Sequence, residues 1–188
     1  MREILFITGN EDKFREFSEI LTCVKLKRRK IELPELQGTP EEIVKEKSKL
    51  ACKITKKPCF VDDTSLCFNA WNSLPGPYIK DFLNHLGQRK LSQTLLKSSR
   101  NINAKAITSI GYCEPNKKPA CIQGITKGKI SYPKGNKNFK KGWDSIFIPN
   151  NKNKTFGQME PKEKHKISQR KKAIVLFEKF LEKKFRKK

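Results

Sequence analysis

Long apolar runs are missing from this chain. No stretch approaches the roughly 20 apolar residues that a spanning helix needs, and the run Ile4–Ile7 is too brief for the core of a secretory leader. The sequence therefore predicts a soluble, cytoplasmic protein with no membrane partner. Histidine is scarce, with two in 188 residues. The six cysteines, Cys23, Cys52, Cys59, Cys67, Cys113 and Cys121, form no Cys-x-x-Cys pair. Free thiols in a reducing compartment are expected, ahead of a zinc site or a disulfide framework. No G-x-x-x-x-G-K-[ST] occurs, which excludes a P-loop, and there is neither an internal repeat nor a linker. Acids are few: 19 Asp and Glu face 42 Lys and Arg, for a formal charge of +23.

Such a charge attracts anions, whether nucleic acid, an anionic surface or phosphorylated small molecules. The lysines are spread from Lys13 to Lys188, so a solvated basic coat accounts for most of the excess. Hydrophobic residues make up 36% of the chain, with 12 Phe, enough to build one core. At this length a single mixed α/β domain is the expectation.

Glu3–Ile7 reads as a buried strand ending in Thr8-Gly9-Asn10. Asn10 is placed to cap a helix that opens with Glu11 and Asp12 and carries Phe14, Phe17, Ile20 and Leu21 on one face. Val24–Leu33 alternates as a second, basic strand. Thr39-Pro40-Glu41-Glu42 has the form of a capping box with proline in the first turn. Cys59–Val61 reads as a short strand running into Asp62-Asp63, and Leu74-Pro75-Gly76-Pro77 as a loop. Helical stretches near Tyr78–Leu86 and Leu91–Lys97 follow. Ala104–Cys113 and Ala120–Ile130 read as a β-hairpin, Asp144–Ile148 as a strand, and the end of the chain as a helix.

Four groups can do chemistry. A strand-to-helix turn aims backbone N–H groups and the positive helix end at one point, which suits phosphate; Thr8, Gly9, Asn10 and Lys13 are so placed, though the same residues also make an ordinary turn and cap. Paired carboxylates Asp62 and Asp63 can ligate a hard cation and take a proton from water, or simply bind turn amides. Glu35, fixed behind Pro34, can join Asp63 on magnesium. An aromatic beside an acid, Gly142-Trp143-Asp144, can meet a base. Lys164 and Ser168-Gln169-Arg170 at a helix start offer donors, although taken singly such clusters are more often core tryptophans and surface helix starts.

Together, Ile4-Leu-Phe-Ile-Thr-Gly-Asn10 with Lys13, Leu33-Pro-Glu-Leu-Gln-Gly38, Val61-Asp-Asp-Thr-Ser-Leu-Cys-Phe68, Leu74-Pro-Gly-Pro-Tyr-Ile-Lys80, Gly142-Trp-Asp144 and Ser168-x-Arg170 resemble the successive motifs of the inosine triphosphate pyrophosphatase (Ham1-type) family, over residues 3 to 181. The resemblance implies a two-lobed α/β fold around a long curved mixed sheet flanked by helices, homodimeric, with the nucleotide in the cleft between lobes. It implies magnesium-dependent conversion of ITP, dITP and XTP to the monophosphate and pyrophosphate. Thr8, Gly9, Asn10, Lys13 and Lys47 would hold the triphosphate, and Glu35 and Asp63 the metal. Asp63 would be the water-activating base beside Asp62, with Thr64 and Lys80 lining the cleft. Gly142, Trp143, Asp144, Lys164 and Arg170 would contact base and sugar. Two departures stand out. Gln169 replaces the family's usual His, which opens base selectivity, and Lys140-Lys141 separates the expected stacking ring Phe139 from Gly142. The alternatives are a broader nucleotide specificity on the same fold, and a basic nucleic-acid binder, which would have no use for Glu35, Asp62 and Asp63.

Overall fold

In a computed structural model that describes residues 2–135 and 142–186, seven strands among those residues form one mixed sheet. In order come β1 (Glu3–Ile7), α1 (Glu11–Ile20), β2 (Lys25–Arg29), α2 (Pro40–Thr55), β3 (Cys59–Phe68), β4 (Pro75–Gly76) and α3 (Ile79–Ser98). Then follow β5 (Asn103–Cys113), β6 (Ala120–Ile130), β7 (Phe147–Pro149), α4 (Pro161–Ile167) and α5 (Gln169–Arg186). The strand order is β2-β1-β3-β5-β6-β7, with β4 paired to β3. β1 runs parallel to both β2 and β3, whereas β4 on β3 and β7 on β6 are antiparallel. The parallel pairs need crossovers, and α1 and α2 supply them.

The chain divides into two compact units. The first comprises Met1–Asp63, Thr108–Gly124 and Lys171–Lys188. Its central strand is buried on both faces, which is why β1 reads as an unbroken apolar run. Ile4 and Phe6 face α1 and α5 through Phe17, Ile20, Ala173, Ile174, Phe177 and Leu181. Leu5 and Ile7 face α2 through Val44, Ala51 and Cys52. The ring of Phe6 stacks on Phe60 at 4.4 Å and meets Phe17 at 4.6 Å. Each such fully buried ring stabilises the fold by about 1.5–3 kcal/mol.

Both helix starts form as their sequences require. The Asn10 side chain accepts from the backbone N–H of Lys13 at 3.0 Å. Thr39 and Glu42 close a reciprocal capping box, with Pro40 in the first turn. Gly111 of β5 passes so close to α2 that a Cβ there would lie 2.0 Å from the Val44 carbonyl oxygen.

The second unit comprises Thr64–Ile107 and Ile125–Arg170. Its core gathers Leu66, Phe68, Ile79, Leu91, Leu95, Trp143, Phe147 and Phe156. α3 is interrupted at Gly87, whose φ of 70° and ψ of 168° are non-helical, so the two expected helical stretches survive as halves of one element.

Several boundaries differ from the sequence reading. The basic strand is only Lys25–Arg29, because the residues before and after it lack a pairing partner along β1. β3 continues through Asp62-Asp63 to Phe68, since Ser65–Phe68 are all buried against core and extend the strand past the acids. Pro75-Gly76, expected as loop, forms a two-residue strand on Cys67 and Leu66. Asp144 lies in a short 3-10 turn (Asp144–Ile146) ahead of β7 rather than in the strand. The helix α4 carrying Lys164 was not anticipated; Pro161 in its first turn is the signal that was there to read.

Candidate active site

The first unit assembles the phosphate-type residues. β1 ends at Ile7 and the backbone N–H of Thr8 donates to the Arg29 carbonyl at the end of β2. The Thr8 hydroxyl then accepts from the backbone N–H of Asn10 at 3.1 Å, which keeps its own proton available to donate. A Cβ on Gly9 would meet nothing nearer than the Lys30 side chain at 3.8 Å. The fold itself therefore does not demand glycine there.

One turn into α1, the Lys13 ammonium lies 3.1 Å from Asp62 Oδ1 as a hydrogen bond and 3.0 Å from Oδ2 as an ion pair. The Asp62 side chain is only 2% exposed. Its Oδ2 nevertheless has no hydrogen bond of proper geometry, so the second contact is charge attraction alone. A buried acid in this state has an oxygen left for a cation or a donor. From α2, Lys47 donates to Glu35 Oε2 at 2.8 Å, with Glu35 itself 86% exposed.

Asp63 is the electrostatic centre of this group. Burial pushes its carboxyl from the usual 3.8 up to about 6; Lys13 and Lys47 pull it down, while Asp62 and Glu35 push it up. Adjacent strand residues point to opposite faces, so Asp62 and Asp63 are separate carboxylates and not a shared-proton dyad. Among the described residues no cluster of three or more His, Cys, Asp or Glu forms a metal cage. The donors present, Glu35 and Asp63, are hard oxygens. They suit magnesium, which takes one or two carboxylates and completes its shell with water and phosphate oxygens.

The second unit holds the other predicted residues. Asp144 is ion-paired with Lys164, whose ammonium also lies 5.6 Å from the centre of the Phe156 ring. Trp143 is 8% exposed and its ring packs against Phe147 and Phe156 at 5.5 and 6.1 Å, so that ring serves the core. Ser168 and Gln169 are both buried at the α4–α5 junction, Arg170 is half-buried, Thr64 is half-buried on β3 and Lys80 is exposed on α3. Gln169 Oε1 is buried without a hydrogen-bond partner. Phe139 lies outside the described residues. One residue that the sequence reading missed is Gln88, whose amide bonds to Gly142 and Ser145; the helix break at Gly87 was its only sequence signal.

The Ham1 family model matches residues 4–180. An inosine triphosphate pyrophosphatase of Neurospora crassa is 43% identical over 172 residues, spanning 90% of this chain and 87% of the relative. One from Puccinia graminis is 37% identical over 181 residues, spanning 92% and 93%. The solved structure of the Staphylococcus aureus Ham1 protein matches with a TM-score of 0.85 at 26% identity, covering 97% of this chain and 100% of that one. A HAM1 protein from Coxiella burnetii gives 0.86 at 25% identity over the same shares. On sequence along nearly its whole length, and on fold, the chain belongs to the Ham1 family.

Proposed function

We propose that this chain hydrolyses non-standard purine nucleoside triphosphates, ITP, dITP and XTP, to the monophosphate and pyrophosphate, with magnesium as cofactor. The observation that carries this reading is Asp63: a buried carboxylate held near 6 amid Lys13, Lys47, Glu35 and Asp62. A base with that value is ionised at neutral pH yet close enough to it to accept a proton.

Asp63 takes a proton from water as the water oxygen bonds to the α-phosphorus. The bond from the α-phosphorus to the bridging oxygen breaks, and pyrophosphate leaves with that electron pair. Lys13, Lys47 and the N–H groups at the start of α1 stabilise the negative charge that develops on it. Glu35 and Asp63 are the residues that would hold magnesium, which when bound supplies further charge neutralisation to the phosphates. Asp62 holds Lys13 in place through its ion pair.

Base choice falls to the second unit. Arg170 can only donate, so it suits the keto oxygen of hypoxanthine or xanthine and opposes the amino group of adenine. Leaving such a buried group unsatisfied costs about 1–3 kcal/mol, roughly tenfold to a hundredfold. Lys80, Asp144, Lys164, Ser168 and Gln169 complete the nucleotide contacts, with Thr64 beside the reacting carboxylate in sequence. A broader specificity is the second reading, favoured by Gln169. Its unpartnered buried Oε1 is an acceptor that an adenine amino group can satisfy. The family resemblance also supports a cytoplasmic location and a homodimer, and sedimentation mass would test the dimer.

The deciding experiment incubates protein, ITP and magnesium and resolves the products by anion exchange, with Asp63→Asn alongside. IMP and pyrophosphate from wild type, lost in the variant, support the reading. IDP and phosphate would mean that the wrong bond is cut and refute it. Equal kcat/KM for ATP and ITP would move the specificity to the broader alternative.

A further inference from the structure

Gln88 sits one residue past the break in α3, where Gly87 adopts a left-handed φ of 70°. Both ends of its amide are spent on one distant stretch of chain. Nε2 donates to the Gly142 carbonyl at 2.6 Å, and Oε1 accepts from the Ser145 hydroxyl at 2.7 Å. The two residues between these anchors are Trp143, whose ring is fixed in the core, and Asp144, ion-paired with Lys164. The far side of the stretch is held too. The backbone N–H of Lys134 donates to the Ser145 carbonyl at 2.9 Å, and a Cβ on Gly157 would lie 2.9 Å from Ser145 Cα.

Only a side-chain amide of this length makes both bonds. A carboxylate could still accept from Ser145 but would oppose the Gly142 carbonyl, and an aliphatic residue would leave both groups without a partner. We propose that Gln88 is a positioning residue for base and sugar recognition. Its amide fixes the backbone of Gly142–Ser145 and, through it, the carboxylate of Asp144. This inference rests on the nucleotide reading above for its functional half.

The test uses the full chain in a Trp71→Phe background, so that Trp143 is the single tryptophan and its emission is excited selectively over that of the tyrosines. Gln88→Leu should raise acrylamide quenching of Trp143, which is only 8% exposed in the intact protein. It should also raise KM for ITP by about tenfold with kcat held within about twofold. Ser145→Ala should do the same to a smaller degree. The inhibition constant of tripolyphosphate, which has no base, should not move. Unchanged quenching and KM in Gln88→Leu would overturn the proposal, and so would a parallel rise in the ITP and tripolyphosphate constants, the mark of a merely structural role. Failure of wild-type protein to turn over ITP would refute the nucleotide reading itself and the inference with it; that outcome is seen before any variant is made.

Discussion

Asp63→Asn should gain stability as it loses activity. Ionised Asp63 is held in a folded environment that lifts its carboxyl from 3.8 to about 6. Above pH 6 the folded wild type carries a buried charge that the unfolded chain carries in water. The gap corresponds to about 3 kcal/mol against folding, and Lys13 and Lys47 have already been counted in it as the pulls that lower it. The sign follows from proton uptake. Between pH 3.8 and 6 the folded state binds a proton that the unfolded state has released, so lowering the pH through that window stabilises the wild type. Asparagine never carries the charge. The variant should therefore exceed wild type by up to about 3 kcal/mol at pH 7.5, or roughly 6–12 °C in Tm for a chain of this size. The advantage should shrink to about 1 kcal/mol at pH 4.5. Thermal and urea unfolding in EDTA, followed by circular dichroism at both pH values, reads this directly. A variant less stable than wild type at pH 7.5, or one with the same advantage at both pH values, would refute the claim that burial dominates at Asp63.

Lys13→Met leaves Asp62 buried without its cation, and breaking such a pair costs about 3–5 kcal/mol. The same change removes the largest pull lowering Asp63, so the acidic limb of the kcat/KM profile should move to higher pH. A limb that stays in place would show that Lys13 does not set the base. Gly111→Ala forces a methyl onto the Val44 carbonyl. Backbone has little room to yield, so a loss of about 3 kcal/mol is expected, seen as a lowered midpoint in urea, and a midpoint within error of wild type would mean that β5 and α2 pack more loosely than described.

Local chemistry was legible wherever it was written in adjacent residues. Asn10 caps α1 and Thr39-Pro40-Glu42 opens α2 because the signals lie within four residues of each other. Ile4–Ile7 announced a strand buried on both faces. The ends of elements were harder. β3 outruns its predicted end because Asp62 and Asp63 look like a turn in sequence, whereas Leu66 and Phe68 beyond them are held by core contacts from distant chain. Trp143 beside Asp144 offers a stacking ring by composition, but Phe147 and Phe156 claim it. The candidate site was legible as a set of residue types. What could not be read was that Lys13 and Lys47 would already be paired with Asp62 and Glu35, since those partners lie 49 and 12 residues away.

Those two pairs also change what the phosphate end admits. Around Asp63 stand two ammonium groups, Lys13 and Lys47, and three carboxylates, Glu35, Asp62 and Asp63. With all of them ionised the tally is two positive against three negative, in a chain whose overall charge is +23. The site brings its own counter-ions. A bare anion such as inorganic phosphate meets lysines whose charge is already answered, while an anion arriving with its own divalent cation can exchange partners in one step. On the proposed reading the carboxylates would hold the cation and the lysines the phosphates, so the surface would attract anions broadly while the site favoured those that arrive with a metal.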